Sequence, residues 1–115
     1  MTGAPFGLGV DIVEISRVRR LARRAPRFLQ RVFTSREIAY CRSKKNPWPH
    51  FAVRFAAKEA VWKALDRSLS LKDISVGRGP DGRPRVLLRG RRAAGFALSL
   101  SHSDDYALAV AIRSR

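Results

Sequence analysis

The sequence predicts an α+β fold in which an antiparallel sheet packs on one long helix, with shorter helices beside it. Three observations carry this. Arg54-Phe-Ala-Ala-Lys-Glu-Ala-Val-Trp-Lys-Ala-Leu65 is an Ala-rich run with helical spacing. The second half of the chain breaks into short, partly alternating apolar runs separated by Gly, Pro and Asp turns. Nearer the start, Ile15, Val18 and Ala22 recur at helical spacing among arginines.

Taken in order, Gly7 to Val13 is a short apolar run with two glycines, which predicts a buried strand whose end carries Asp11. A basic amphipathic helix follows, with Arg17, Arg19, Arg20, Arg23 and Arg24 on its remaining faces, and Pro26 ends it. Phe28, Leu29, Val32 and Phe33 form a second short apolar element. Thr34-Ser-Arg-Glu37 fits a helix N-terminus at which Glu37 reaches back to the cap, opening a helix over 36–42. A polar turn with Lys44, Lys45, Asn46 and two prolines then leads to a long helix from about His50 to Leu65. Ile74 to Val76, Val86 to Leu88, Phe96 to Ser101 and Tyr106 to Ile112 read as strands. Gly79-Pro-Asp-Gly-Arg-Pro84 and Ser103-Asp-Asp105 read as the turns between them.

At 115 residues, without an internal repeat or a Pro- or Ser-rich linker, residues 1–115 are expected to form a single domain. Nothing resembles a signal peptide, and no apolar run approaches the roughly 20 residues that span a bilayer. A cytoplasmic protein without membrane attachment is the expectation. The lone Cys41 cannot form an internal disulfide and is assigned to packing. Lys plus Arg number 24 against 9 Asp plus Glu, a net charge of +15, so the partner should be anionic. Charge alone leaves nucleic acid, a phosphorylated small molecule, an acidic protein and an anionic membrane open. Nucleic acid is disfavoured, because the basic residues are scattered through both halves and no recognisable nucleic-acid motif is present.

The chemistry concentrates where polar residues interrupt apolar elements. Glu59 and Lys63 share one stripe of the long helix, between Phe55 and Trp62 on one flank and Ala56 and Ala60 on the other. The small alanines leave room for a ligand or a crossing backbone, and a carboxylate among apolar residues needs a cation or hydrogen-bond donors. Lys58 falls on a different face and is expected to be solvated. Trp62 is assigned to the core, and His50 is left as either a cap or a ligand contact. Asp11 at a strand end, and Ser99, Ser101 and His102 at the close of another, complete the set. Two carboxylates without a His or Cys ligand set suit Mg²⁺, with Lys63 and His102 as donors to a phosphate.

Gly9-Val-Asp11-Ile-Val-Glu-Ile15, Phe33-Thr-Ser-Arg-Glu37, Arg54-Phe-Ala-Ala-Lys-Glu-Ala60 with Lys63-Ala-Leu65, and Ser99-Leu-Ser-His102 follow one another in this order. In that order and at those separations they resemble the holo-acyl-carrier-protein synthases, the small 4′-phosphopantetheinyl transferases. The resemblance covers nearly the whole chain. It implies that fold, and Mg²⁺-dependent transfer of the 4′-phosphopantetheine arm of coenzyme A to a serine of apo acyl carrier protein, releasing adenosine 3′,5′-bisphosphate. By position, Asp11 and Glu59 would bind the metal, Glu59 and Lys63 would be catalytic, and Arg54, Lys63, Pro84, Ser101 and His102 would seat coenzyme A. A water relayed through Glu59 is the first choice for taking the serine proton. Arg17, Arg24 and Arg27 match arginines that dock the acidic carrier. The resemblance further implies a homotrimer with shared active sites, in which Arg54 and the Asp81–Pro84 turn serve a neighbouring subunit's nucleotide. Which carrier is served, of fatty-acid, polyketide or peptide synthesis, stays open. Many relatives carry a Gly-rich loop after the long helix, where this chain has Asp66-Arg-Ser-Leu-Ser70, leaving Arg67 or Ser68 to contact phosphate in its place.

Overall fold

A computed structural model describes residues 5–65 and 69–114, so Asp66, Arg67 and Ser68 lie outside the described residues. The chain opens with β1 (Phe6–Glu14), α1 (Ile15–Arg24), α2 (Phe28–Val32), α3 (Ser35–Arg42) and the long α4 (Pro47–Ala64). A 3₁₀ turn (Leu71–Asp73) leads to β2 (Ile74–Arg78), β3 (Pro84–Leu88), β4 (Arg91–Arg92), β5 (Phe96–His102) and β6 (Tyr106–Ser114). Among the described residues, no helix is long and apolar enough to cross a membrane.

The strands form two antiparallel sheets of three, in the orders β1-β6-β5 and β2-β3-β4, where the sequence suggested one. The split has a local cause. Arg89, Gly90 and Gly95 all take positive φ, which folds the chain into a tight excursion and gives β3 the two-residue β4 as its second partner instead of β5. An Arg-Arg pair has no apolar pattern, so β4 left no trace in the sequence.

The helices follow their local signals. Thr34 and Glu37 form a reciprocal capping box: the Thr34 N–H donates to Glu37 Oε1 at 2.9 Å and the Glu37 N–H donates to Thr34 Oγ1 at 3.2 Å. Helix α4 begins at Pro47, three residues before the expected start near His50. Asn46 caps it by accepting from the Trp48 N–H at 3.3 Å, and Pro47 and Pro49 occupy the first turn, where a missing N–H costs no intrahelical bond.

Small residues set the distance between α4 and the β1-β6-β5 sheet. Ala52, Ala56, Ala60 and Ala64 are fully buried on the helix, as are Ala107, Ala109 and Ala111 on β6. The room left by the alanines is taken by a crossing backbone. A Cβ added at Gly9 would collide with the Ala60 carbonyl oxygen, and one at Gly7 with that of Ala64. Strand β1 therefore runs antiparallel to α4, backbone against backbone.

Lys58 corrects the sequence reading. It is fully buried, with Nζ 2.7 Å from Glu37 Oε1, and it donates to the carbonyl oxygens of Leu71, at 3.2 Å, and Ile74. Helical spacing places it on a face different from that of Glu59. That face is covered by β2 and the 3₁₀ turn, and α3 supplies the counter-charge.

Candidate active site

The close approach of β1 to α4 brings Asp11 to Lys63. Lys63 Nζ donates to the Val10 carbonyl oxygen at 3.0 Å and stands 3.6 Å from Asp11 Oδ1. The Asp11 side chain is 19 % exposed, and burial pushes its carboxyl above the usual range against the opposing pull of Lys63 and, more weakly, of Arg17. Glu59, half-buried, lies one helical turn before Lys63 on the stretch of α4 that β1 crosses. Arg17 projects into solvent from the first turns of α1, and Arg24 and Arg27 are exposed at its far end and in the turn beyond.

A second group gathers around a cleft of about 130 Å³ lined by Arg54, Pro84 and His102, together with Tyr40, His50 and Arg78. Arg54 lies over the Tyr40 ring, 4.3 Å from its centroid, and Lys44 lies over the same ring at 4.6 Å. His50 meets the Tyr40 ring edge-on at 6.1 Å. Burial first, then Arg54, Lys44 and His102, hold the His50 pKa below its ordinary value. The cleft is thus positive without a nearby carboxylate among its lining residues, a setting for an anion.

Sheet register relates the two groups. Asp11 pairs with Ala109, which pairs with Leu100; Val13 pairs with Ala107, which pairs with His102. Alternation along β1 and β5 puts Asp11, Leu100 and His102 on the helix-covered face, with about 10 Å between Asp11 and Leu100 at two strand spacings. Both groups therefore sit on the same side of the sheet, towards the same end.

Ser101 is not brought to this cleft. It pairs with Leu108, which pairs with Ile12, and all three belong to the opposite face. That face is apolar and open: Leu8 is 58 %, Val10 52 % and Ile12 63 % exposed, beside exposed Tyr106, Leu108 and Ile112. Arg54 and Pro84, expected to serve a neighbouring subunit's nucleotide, line one cleft of the same chain with His102. The Asp81 turn that leads into Pro84 is held locally, by the Arg83 N–H donating to Asp81 Oδ1 at 3.1 Å and by Arg85 at 3.2 Å from Asp81 Oδ2. The sequence reading missed Tyr40 and Arg78 and left His50 open. Their roles arise because α3, α4, β2 and β5 converge, which no local spacing records. The Asp66 to Ser68 part of the altered loop lies outside the described residues.

A profile of the 4′-phosphopantetheinyl transferase superfamily matches residues 7–111. The holo-[acyl-carrier-protein] synthase of Moorella thermoacetica is 49 % identical over 115 residues, covering 90 % of each chain. That of Caldanaerobacter subterraneus is 42 % identical over 116 residues, covering 91 % of each. Among solved structures, the holo-(acyl-carrier-protein) synthase of Bacillus anthracis in complex with CoA (3′,5′-ADP) superimposes with a TM-score of 0.79 at 29 % identity, covering 94 % of this chain and 95 % of that one.

Proposed function

The chain belongs to the holo-[acyl-carrier-protein] synthases of the 4′-phosphopantetheinyl transferase superfamily, and from that premise we propose how its residues divide the work. The enzyme moves the 4′-phosphopantetheine arm of coenzyme A to a serine of apo acyl carrier protein. The serine oxygen attacks the phosphorus that bears the pantetheine arm, the pyrophosphate P–O bond breaks, and adenosine 3′,5′-bisphosphate leaves. The observation that carries this assignment is the gathering of Arg54, Pro84 and His102 in one cationic cleft, on the side of the sheet that presents Asp11 and Lys63.

In this reading Arg54 and His102 seat the phosphates of the nucleotide, Pro84 forms part of its wall, and Lys63 places a point charge on the pyrophosphate. Glu59 accepts, through a water, the proton leaving the serine hydroxyl. The donor set fits Mg²⁺. Asp11 and Glu59 are hard oxygen donors, and Asp11 is a carboxylate that burial disfavours in its charged form, so a cation beside it relieves a cost already present. When bound, Mg²⁺ would neutralise charge growing on the leaving phosphate. Arg17, Arg24 and Arg27 dock the acidic carrier.

The exposed apolar face of β1-β6-β5 supports assembly into a homotrimer, because a patch of Leu8, Val10, Ile12, Leu108 and Ile112 is costly to leave in water. Assembly would put Ser101 at a subunit boundary, the place from which it could reach a nucleotide shared between protomers.

The deciding experiment is the intact mass of a purified apo acyl carrier protein after incubation with this protein, coenzyme A and Mg²⁺, beside a matched EDTA control. A gain of about 340 Da with Mg²⁺ and none with EDTA is expected, since the metal supplies the charge neutralisation. No gain with any of several carriers would overturn the assignment.

A further inference from the structure

The cleft has two walls that come from different layers of the fold. Arg54 and His50 belong to α4, whereas Val76, Gly77 and Arg78 belong to β2, and Pro84 follows β2 because it pairs with Arg78 across the β2–β3 ladder. What fixes one wall against the other is a buried strut. Lys58 is 0 % exposed, and its three ammonium protons find three acceptors: Glu37 Oε1 and the carbonyl oxygens of Leu71 and Ile74. Glu37 extends the strut, because its Oε2 accepts from the Val76 N–H at 3.4 Å while Oε1 holds the Thr34 cap. One ion pair thus links α3, α4, the 3₁₀ turn and β2.

A buried pair of this kind is a poor source of stability. Its desolvation offsets most of its attraction, and neutral side chains of like size often do as well. Its geometry, by contrast, is exacting, since Lys58 must meet the Ile74 carbonyl and Glu37 the Val76 N–H, both at defined points on β2. We infer that Lys58 is a positioning residue for the nucleotide cleft, tying β2 to α4 so that Val76, Gly77 and Arg78 stand at a fixed distance from Arg54. The inference rests on the proposed function, in which that cleft seats coenzyme A. The carrier-docking arginines lie on α1 and in the turn after it, outside the strut, so the two substrates should respond differently.

The test uses the double variant Lys58→Met/Glu37→Gln, which removes both buried charges and keeps the capping box with Thr34, because a glutamine serves the third helical position as a glutamate does. The full-length double variant is expected to melt close to wild type, with the KM for coenzyme A raised about tenfold and kcat and the carrier KM within about twofold, as for a misplaced binding wall. Amide exchange at Val76, Gly77 and Arg78 should quicken, with β1 and β6 unchanged. An unchanged coenzyme A KM, a parallel rise for both substrates, or unchanged exchange at those three amides would overturn the inference. If the double variant does not fold, Glu37→Gln alone is judged by the same criteria. Absence of transfer by the wild-type protein would instead defeat the functional assignment, while the exchange comparison, which needs no substrate, still decides whether the pair holds the wall.

Discussion

Lys63 bridges helix and strand, with Nζ 3.0 Å from the Val10 carbonyl oxygen and 3.6 Å from the Asp11 carboxylate. Its side chain is 37 % exposed, so the ammonium is anchored to β1 yet not sealed from solvent, as the proposed contact with a phosphate requires. A half-buried pair at 3.6 Å, whose attraction is set against the burial of Asp11, adds at most about 1 kcal/mol to stability, and its value should lie in chemistry. Lys63→Met is expected to lower kcat/KM by about 10²- to 10³-fold, the usual loss for one preorganised charge donor, with little change in melting temperature. Steady-state kinetics beside a thermal melt checks this. A loss under threefold would remove Lys63 from the site.

The Gly-x-Asp sequence at Gly9 and Asp11 has a steric basis. A side chain at Gly9 meets the Ala60 carbonyl oxygen, a backbone atom that cannot turn aside, so β1 must retreat from α4 and take Asp11 with it. Gly9→Ala should destabilise the protein by about 3 kcal/mol, the upper range for overpacking. At Gly77 the nearest neighbour of an added Cβ would be Leu87 Cδ1 at 3.7 Å, an ordinary contact, so Gly77→Ala serves as the control and should shift stability by less than about 1 kcal/mol. Urea denaturation of the two variants separates them. Equal midpoints would contradict the backbone packing described.

How much of this was legible in the sequence depends on whether the signal was local. The Ala stripe of α4, the two glycines of β1 and the Thr34-to-Glu37 box are short-range patterns, and each produced an element of the type it predicted, although β1, read as buried, leaves Leu8, Val10 and Ile12 exposed on its outer face. Spacing also put Glu59 and Lys63 on one stripe, but it read Asp11 as the acid at a strand end, whereas β1 runs on through Ile12 and Val13 to Glu14 because β6 continues to pair with it as far as Tyr106. Depth was another matter. Period alone tells which face Lys58 occupies and says nothing of what covers that face, so a fully buried lysine reads as solvated. Its counter-ion, Glu37, already has a complete local explanation as a cap. Tyr40 and His50 flank a turn that the sequence marks only as polar. Their meeting with Arg54 and His102 is a product of tertiary packing. The prolines at 47 and 49 read locally as a break, although a helix N-terminus tolerates them.

Asp11 should trade stability for function. Its pKa is raised in the folded protein because burial outweighs the pull of Lys63 and Arg17. The folded state therefore holds this proton more tightly than the unfolded chain does. The resulting stabilisation is full below the ordinary carboxylate value of 3.8 and is lost as pH rises through the folded value, so at neutral pH the bare carboxylate weighs against folding. Metal-free Asp11→Asn is expected to melt above metal-free wild type at neutral pH, with the advantage shrinking as the pH is lowered. Added Mg²⁺ should raise the wild-type melting temperature and leave that of the variant unchanged, as mass action requires of a lost ligand. Scanning fluorimetry across pH, with and without Mg²⁺, reads both effects. Equal Mg²⁺ stabilisation of the two proteins would exclude Asp11 as a ligand.

A variant at Arg17 should separate docking from catalysis. It is exposed on α1, yet close enough to Asp11 to oppose the rise in that residue's pKa, so a carrier held by it would present its serine beside the Asp11–Lys63 pair. Complementary surface charge acts mainly on encounter and orientation, and salt screens it over about 10 Å at 0.1 M ionic strength. Arg17→Glu is therefore expected to raise the carrier KM about tenfold or more while the KM for coenzyme A stays within about twofold, and to flatten the fall of kcat/KM with added salt. The measurement is a matched pair of substrate titrations at several ionic strengths. If both KM values rise together, Arg17 belongs to the nucleotide site; if neither moves, the carrier approaches by another face.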